Sequence, residues 1–393
     1  MTAYRTLDSF DVAGRTVLVR ADLNVPLREG EVTDDFRISA ALPTVNALAE
    51  RGSRVVVCSH LGRPQGPDPG LSLRPVAQRM ERLAAHPVTF VADTIGEAAQ
   101  EAAEDLSLGS VLILENTRFL EGETANADAV ADGLAALGNV FIQDAFGSAH
   151  RAHASTVGVA MRVPSGAGLL LAAELDALGR FLDSPERPFT VVLGGAKVSD
   201  KLGVVENLLP RVDKMLIGGG MCFTVLAAQG YSVGRSLLEE EMLDAVRQIT
   251  EGPHGSKIVL PSDIVVGAEF AEGTTPGVCD ARSIPRDVVG LDIGPDTAQA
   301  FADAIEGSGS VFWNGPMGVF EWEGFRRGTE VVASALAACP GFTAVGGGDS
   351  AAALRSLGLE SSVSHLSTGG GAGLKLLEGR TLPGVAVLER WVR

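Results

Sequence analysis

The sequence has little of several things that would narrow its function at once. Its four cysteines, Cys58, Cys222, Cys279 and Cys339, are scattered through 393 residues without CxxC or Cys/His spacing. That argues against a disulfide framework or a cysteine metal site and leaves reduced thiols in a cytoplasmic protein. No apolar run reaches the roughly 20 residues of a membrane helix. The opening stretch Met1-Thr2-Ala3-Tyr4-Arg5 lacks the apolar core of a secretory signal. No G-x-x-x-x-G-K-[ST] run occurs anywhere, so a nucleotide site here would not be a P-loop. Positive charge is scarce, with 32 basic residues against 49 acidic ones and a net charge of −17. This balance argues against nucleic acid or an anionic membrane as partner. A small anionic ligand stays compatible with it, because a local basic cluster can sit on an acidic protein. Lysine is scarcer still. Only Lys197, Lys201, Lys214, Lys257 and Lys375 occur, so 27 of the 32 basic residues are arginine.

What is present is a globular chain, 46% hydrophobic and long enough for two domains. The stretch Leu169–Leu182 divides it. Leu171, Leu175, Leu178 and Leu182 recur at helical spacing, and Asp183-Ser184-Pro185-Glu186-Arg187-Pro188 stops the helix. Pattern alone is equally consistent with a surface helix inside one domain. The linker reading is favoured because strand-then-loop repeats with different loop chemistry lie on both sides. Before the helix, strands are expected at 15–20, 54–59, 88–91, 110–114 and 139–142, with helices near 38–50, 75–85, 95–105 and 126–137. After it, strands are expected at 189–193, 214–217, 257–260, 288–291, 311–313 and 342–345. These are continuous apolar runs, as parallel strands covered on both faces require. The expected fold is α/β, with two doubly wound parallel-sheet (Rossmann-like) domains joined by an interdomain helix.

Ligands of such sheets bind where strands end in loops. In the first half those loops carry Asp22 and Asn24, His60 and Arg63, Arg118, and His150 and Arg151, with Arg37 close behind the first. Any one arginine reads as a surface ion pair. Four in or near strand-end loops suit a multiply charged anion, since the guanidinium fork matches carboxylate and phosphate oxygens. Asp22 and Asn24 add acceptors for a sugar-like or glycerate hydroxyl. In the second half Gly194-Gly195-Ala196-Lys197-Val198-Ser199-Asp200-Lys201 follows a strand and reads as opening a helix, with Lys197 and Lys201 on one helical face. Further glycine-rich loops follow at Gly218–Gly220, Asn314–Glu321, Gly346–Ser350 and Ser367–Ala372. A single Gly-Gly pair usually marks a turn, but four such loops at strand ends exceed what turns need. Asp349 reads as an N-cap or, beside phosphates, as a Mg²⁺ ligand.

At these residues the chain resembles the phosphoglycerate kinase family. The matching stretches are Arg20–Pro26, His60–Pro64, Glu115–Phe119, Asp144–Gly147 with Ala149–Arg151, Gly194–Val198, Trp313–Pro316, Gly346–Ser350 and Ser367–Ala372, in family order over nearly the whole chain. The resemblance implies reversible phosphoryl transfer from 1,3-bisphosphoglycerate to MgADP, giving 3-phosphoglycerate and MgATP, by a cytoplasmic glycolytic monomer. It implies a 3-phosphoglycerate domain at 1–168, a hinge helix at 169–185, a nucleotide domain at 186–380, and a segment 381–393 returning to the first domain. Asp22, Leu23, Asn24, Arg37, His60, Leu61, Gly62, Arg63, Arg118 and Arg151 would hold 3-phosphoglycerate. Gly195, Lys201, Gly219, Gly290, Asn314, Pro316, Val319, Glu321, Gly347, Gly348, Asp349 and Ser350 would hold ADP or ATP, with Glu321 on the ribose and Asp349 on Mg²⁺. Arg37, Lys197, Lys201, Gly370 and Gly371 would surround the phosphoryl group in flight. Two residues depart from the family pattern, Lys375 and Cys222.

Because carboxylate and phosphoryl oxygens react directly, no general base is assigned. His60 and His150 are substrate-side donors in this reading. Different ligands on either side of one helix also suggest an open form that closes when both are bound. The rival enzyme class is a nicotinamide-dependent dehydrogenase, because Gly346-x-Gly348-x-x-Ala351 fits the dinucleotide fingerprint. The acid this motif wants at the end of the next strand is missing from His365-Leu366-Ser367-Thr368. A binding protein without turnover would need losses at Arg37, Lys197, Lys201 or Asp349, and all four are present.

Overall fold

The computed structural model describes residues 4–392; residues 1–3 of the opening stretch and residue 393 of the last segment lie outside them. Contact density divides the chain into two compact units, Met1–Asp176 with Thr381–Arg393, and Ala177–Arg380.

The first unit is built on six parallel strands in the order Val88–Phe90, Val111–Ile113, Arg54–Cys58, Thr16–Arg20, Val140–Gln143, Ser165–Ala167. Val17, Val55, Val57, Ile113 and Ile142 are buried at its centre. Helices Phe36–Glu50 and Arg74–Leu83 cover it through Ile38, Val45, Val76 and Met80. Since all six strands run the same way, the loops beginning at Ala21, Ser59, Leu114 and Asp144 leave from one edge of the sheet. The three-residue strand Ser165–Ala167 was not expected; Ser-Gly-Ala carries no β-branched signal.

Helix Leu169–Asp183 fills the dividing stretch. Its start is fixed inside the first unit. Leu170 N and Leu171 N donate to Asp144 Oδ1 at 2.9 and 3.2 Å, and Leu169 N donates to Thr44 Oγ1 at 2.9 Å. Asp144 is fully buried, which pushes its carboxyl up to about 6 against the pull of these hydrogen bonds. A carboxyl raised in the folded state binds more protons than in the unfolded chain between about pH 4 and 6. The folded state therefore loses ground as pH rises through that window, and the cost is complete above it. Asp144→Asn keeps an acceptor for the two amides without a charge to bury. Relative to the parent, its stability in urea titrations is expected to rise from pH 4 to 6 and then level off. Asp144→Ala should lose about 1–2 kcal/mol with the cap. A parent-minus-Asn difference that ignores pH would contradict this account.

The second unit repeats the scheme with strand order Ile258–Val259, Lys214–Ile217, Phe189–Leu193, Ser310–Asn314, Phe342–Gly346, His365–Leu366, all parallel. Val192, Leu216, Trp313 and Val345 form its core, under Phe301 and Ile305 on one helix and Val332 and Leu336 on another. Phe181, at the end of the dividing helix, stacks on Phe189 with ring centroids 5.3 Å apart.

One expected strand lies elsewhere. Val289–Ile293 is not in the parallel sheet; it pairs antiparallel with Asp263–Gly267, which pairs in turn with Gly277–Asp280. Asp263–Gly267 was not expected, because Ile264-Val265-Val266 is a short run between an aspartate and a glycine. The sixth place in the parallel sheet goes to His365–Leu366 instead.

Candidate active site

In the first unit the strand-end loops are tied to one another through their functional residues. Arg37 Nη1 donates to Asp22 Oδ1 (3.2 Å) and to Asn24 O (3.0 Å), so the first loop holds an arginine from the following helix. Asn24 Oδ1 accepts from Gly62 N at 2.8 Å. Arg118 Nη1 donates to Gly62 O. Arg151 Nε stands 3.2 Å from His150 Nε2. Arg63, Arg118 and Arg151 line one polar cavity of about 780 Å³. Leu23 and Leu61 are buried and supply backbone positions only.

Charge makes this edge unusual. Burial pushes Arg118 down to about 10, with Arg151, Arg20 and Arg63 adding repulsion and Glu123 opposing it. His60 is held well below its ordinary value by burial first, then by Arg20, Arg118, Arg37 and Arg151, so its ring is neutral at pH 7. Arg118 Nε is buried and has no hydrogen-bond partner. Mutually repelling guanidinium groups around an unsatisfied donor suit an anion with several charges. Sequence reasoning missed the support beneath them. Arg20, Glu123, His153 and Ser155 are all buried. Arg20 gave one signal, an arginine ending an otherwise apolar strand.

In the second unit the glycine loops meet at the carboxyl ends of the central strands. Gly194 N donates to Asn314 O (3.0 Å), Gly195 N to Pro316 O (2.9 Å), and Gly219 N to Met317 O (3.0 Å). Gly219 has φ +62°, and a Cβ there would lie 2.5 Å from Gly195 N and 2.7 Å from Pro316 O. Only glycine allows three loops to close on one another this tightly. Beside them lies a cavity of about 450 Å³. Gly195, Gly219, Gly290, Pro316, Val319, Glu321 and Asp349 line it, as do Cys222, Phe223, Leu237, Phe270 and Trp322. None of these last five belongs to a sequence motif, and four of them, Phe223, Leu237, Phe270 and Trp322, drew no notice in the sequence. Phe270 is nonetheless 63% exposed and packs on Trp322 with ring centroids 4.8 Å apart.

Other expected residues sit behind the cavity wall. Asn314 Nδ2 donates to Gly346 O (2.8 Å), and Ser350 Oγ accepts from Gly315 N (2.7 Å), so both side chains fasten loops. A Cβ on Gly370 would stand 3.0 Å from Gly347 Cα, which places the start of helix Gly370–Leu377 against the Gly347 turn. Gly371 is exposed and Gly348 opens helix Gly348–Ser356, with exposed Asp349 in its first turn.

The lysine pair needs correction. Lys197 and Lys201 do not share a helical face, because the helix starts only at Leu202, with Lys201 as its N-cap. The loop curls first: Lys201 N bonds to Val198 O, and Lys201 Nζ donates back to Gly194 O. Lys201 is therefore buried while Lys197 is exposed. Burial pushes the Lys201 amine down to about 8, opposed by Asp200 and Asp349. The two departures also find places. Lys375 Nζ sits 2.9 Å from both Glu378 oxygens, and Cys222 is buried at the cavity wall.

A family profile for phosphoglycerate kinase matches residues 7–380. The chain belongs to the phosphoglycerate kinase family. It is 55% identical to phosphoglycerate kinase of Salinispora arenicola over 98% of this chain and 99% of that one, and 52% identical to that of Rubrobacter xylanophilus over 98% of each. Among solved structures it resembles phosphoglycerate kinase from Coxiella burnetii, with TM-score 0.88 and 38% identity over the whole of both chains. It also resembles that from Pyrococcus horikoshii, with TM-score 0.87 and 32% identity over 99% and 100%. It is thus an enzyme with that activity, a glycolytic kinase acting on small molecules, with Mg²⁺ and ADP or ATP. Nothing supports the dehydrogenase reading. No described helix is long and apolar enough to cross a membrane.

The described residues hold no group of three or more His, Cys, Asp and Glu fit for a metal. Asp349, an exposed carboxylate on the cavity wall in the first turn of helix Gly348–Ser356, fits a cation that draws most of its ligands from phosphate and water.

Proposed function

We propose that the two units divide the reaction of this family between them. The first grips 3-phosphoglycerate or the 3-phosphoglycerate part of 1,3-bisphosphoglycerate, through Asp22, Asn24, Arg37, His60, Arg63, Arg118 and Arg151. Leu23, Leu61 and Gly62 shape the backbone beneath it. The second holds ADP or ATP. Gly195, Gly219, Gly290, Pro316 and Val319 line the base and sugar, and Glu321 takes the ribose. Lys201 and the Gly347–Ser350 turn manage the phosphates, with Asp349 on Mg²⁺. The bound cation shields phosphate charge. Lys197, Arg37, Gly370 and Gly371 complete the surroundings of the moving phosphoryl group. No general base is assigned, since the nucleophile is already an anion. Positioning and charge neutralisation carry the rate.

The observation that carries this reading is the buried, partnerless Arg118 Nε among mutually repelling guanidinium groups. Calorimetric titration of the full chain with 3-phosphoglycerate alone tests it. Arg118→Ala and Arg151→Ala are each expected to weaken binding roughly 10–100-fold, the size of one charge-assisted pair. Affinity for MgADP should stay within about twofold. Loss of MgADP binding instead would contradict the assignment.

Lys201 gives a pH prediction. Its amine, near 8 when free, is pulled back up by a bound polyphosphate. MgADP binding at pH 8 to 9 should therefore take up part of a proton, and affinity should fall as pH rises through that range. Titration in buffers of different ionisation heat reads this directly. No proton uptake would mean that Lys201 does not meet the phosphates. The expected location is the cytoplasm, with the chain acting as a monomer. The phosphoryl group passes only if the two ligands meet, so binding both should lower the radius of gyration in small-angle scattering. An unchanged radius would argue against closure.

A further inference from the structure

The mechanism above uses His60 but not the groups packed behind it. Three of these, Glu123, Ser155 and Arg20, form one hydrogen-bonded chain that ends on His60. Ser155 Oγ donates to Glu123 Oε1 at 2.5 Å, and Ser155 N donates to Glu123 Oε2 at 3.1 Å. Arg20 Nε donates to Ser155 Oγ at 2.9 Å. Arg20 Nη2 lies 3.0 Å from His60 Nδ1, and Arg20 Nη1 donates to Ala21 O. Exposure falls to 1% for Arg20, 1% for Glu123 and 0% for Ser155, so water does not compete for these bonds.

The direction of every bond is forced by the groups themselves. A guanidinium has donors only, so the imidazole nitrogen facing Arg20 must accept. Burial pushes the Glu123 carboxyl up, against the pull of Arg20, the two Ser155 hydrogen bonds and Arg118; as a carboxylate it only accepts, so the serine proton points to Glu123 and its lone pairs turn to Arg20. His153 Nδ1 lies 3.9 Å from Glu123, but burial and the charges of Arg118, Arg20 and Arg151 push that ring down to about 4, so it is neutral. Arg20 and Arg118 are then the positive partners of Glu123.

We infer that Glu123 and Ser155 are positioning residues for the phosphoryl-acceptor site: through Arg20 they lock His60 in the tautomer with hydrogen on Nε2, which makes its outer nitrogen a permanent donor to an anionic substrate oxygen. The inference rests on the assignment of 3-phosphoglycerate to the first unit. Its chemical content is a constraint on one ring. A free neutral histidine exchanges its proton between two nitrogens and offers a lone pair as readily as an N–H. A lone pair turned toward a carboxylate or phosphate would repel it. The relay removes that alternative without placing another positive charge among arginines that already repel one another.

The test is ¹⁵N-histidine NMR of the full-length enzyme, with the His60 signals assigned through His60→Gln, at pH 6.5 to 8 with and without 3-phosphoglycerate. In the parent, His60 should show a protonated Nε2 and a bare Nδ1 across this range. Ser155→Ala removes the lone pair that holds Arg20 Nε, so its His60 spectrum should become a mixture of tautomers. Its KM for 3-phosphoglycerate should rise roughly tenfold, about the worth of one hydrogen bond to charge, with kcat changed less than KM. Ser155→Thr, which keeps the hydroxyl, should restore both readings, and Glu123→Gln should fall between. A protonated Nδ1 in the parent overturns the inference even if no variant folds well enough to assay. A fixed tautomer in Ser155→Ala with parent KM overturns it too. If 3-phosphoglycerate leaves the His60 signals unmoved, the substrate assignment itself has failed, and the two failures are told apart.

Discussion

Replacing Lys201 by Met is expected to lower kcat by about 10²–10³-fold, the usual cost of removing one preorganised donor from developing charge. The reason lies in its burial. Lys201 caps helix Leu202–Leu208, and its amine is tied to Gly194 O among three interlocked glycine loops. Burial costs the ammonium free energy, as its lowered pKa of about 8 records. An unfolded chain would hold that proton up to about pH 10.5, so between 8 and 10.5 folding gains stability as pH rises. Nothing in packing explains keeping a destabilised cation there, and a passing phosphate does. Lys201→Arg should fail almost as badly, because the guanidinium fork is larger and cannot sit beside Gly195 and Gly315. Lys201→Met should fold, since methionine matches the lysine stem. Steady-state rates with both substrates saturating check this. A drop below tenfold would mean that the lysine serves only the loop.

Arg37→Ala should act at the other substrate. Its guanidinium is held by Asp22 Oδ1 and Asn24 O, with the side chain still 30% exposed. It is therefore oriented on one side and available on the other. Turnover should fall about 10²-fold, with KM for 3-phosphoglycerate rising less, if the arginine meets the transferring group more strongly than the resting acid. The dissociation constant for MgADP should not move by more than about twofold. Arg37→Lys should recover little, since Arg37 bonds Asp22 and Asn24 through Nη1 alone and keeps further N–H groups of its planar fork for a phosphoryl oxygen, a geometry that a compact ammonium on another stem does not reproduce. Equal losses in turnover and MgADP affinity would put this arginine on the wrong ligand.

Much of the fold was legible because its strands are unbroken apolar runs, a pattern few other structures produce. Val17-Leu18-Val19 and Val55-Val56-Val57 needed no further information. The reading failed where strands are short or belong to another sheet. Ser165–Ala167 has no strand-like residue, and Asp263–Gly267 offers three apolar residues among many. Antiparallel pairing of Val289–Ile293 depends on that missed partner. The motif residues announced themselves through rare types in loops: arginine in one half, lysine and clustered glycine in the other. Helical spacing misled at Lys197 and Lys201, because hydrogen bonds within the Gly194–Lys201 loop overrode it. The cavity wall at Phe223, Leu237 and Phe270 was invisible for a different reason. Apolar residues that greet a ligand obey the same pattern as those that greet a core.

Crystallography of the enzyme with both 3-phosphoglycerate and MgADP addresses the central assignment without intermediaries. The account requires the acid to lie against Arg63, Arg118, Arg151 and His60, touching only the first unit, and the nucleotide to fill the cavity bordered by Gly219, Val319 and Glu321 with its cation on Asp349. Finding both ligands on one unit, or the acid away from those arginines, would contradict it.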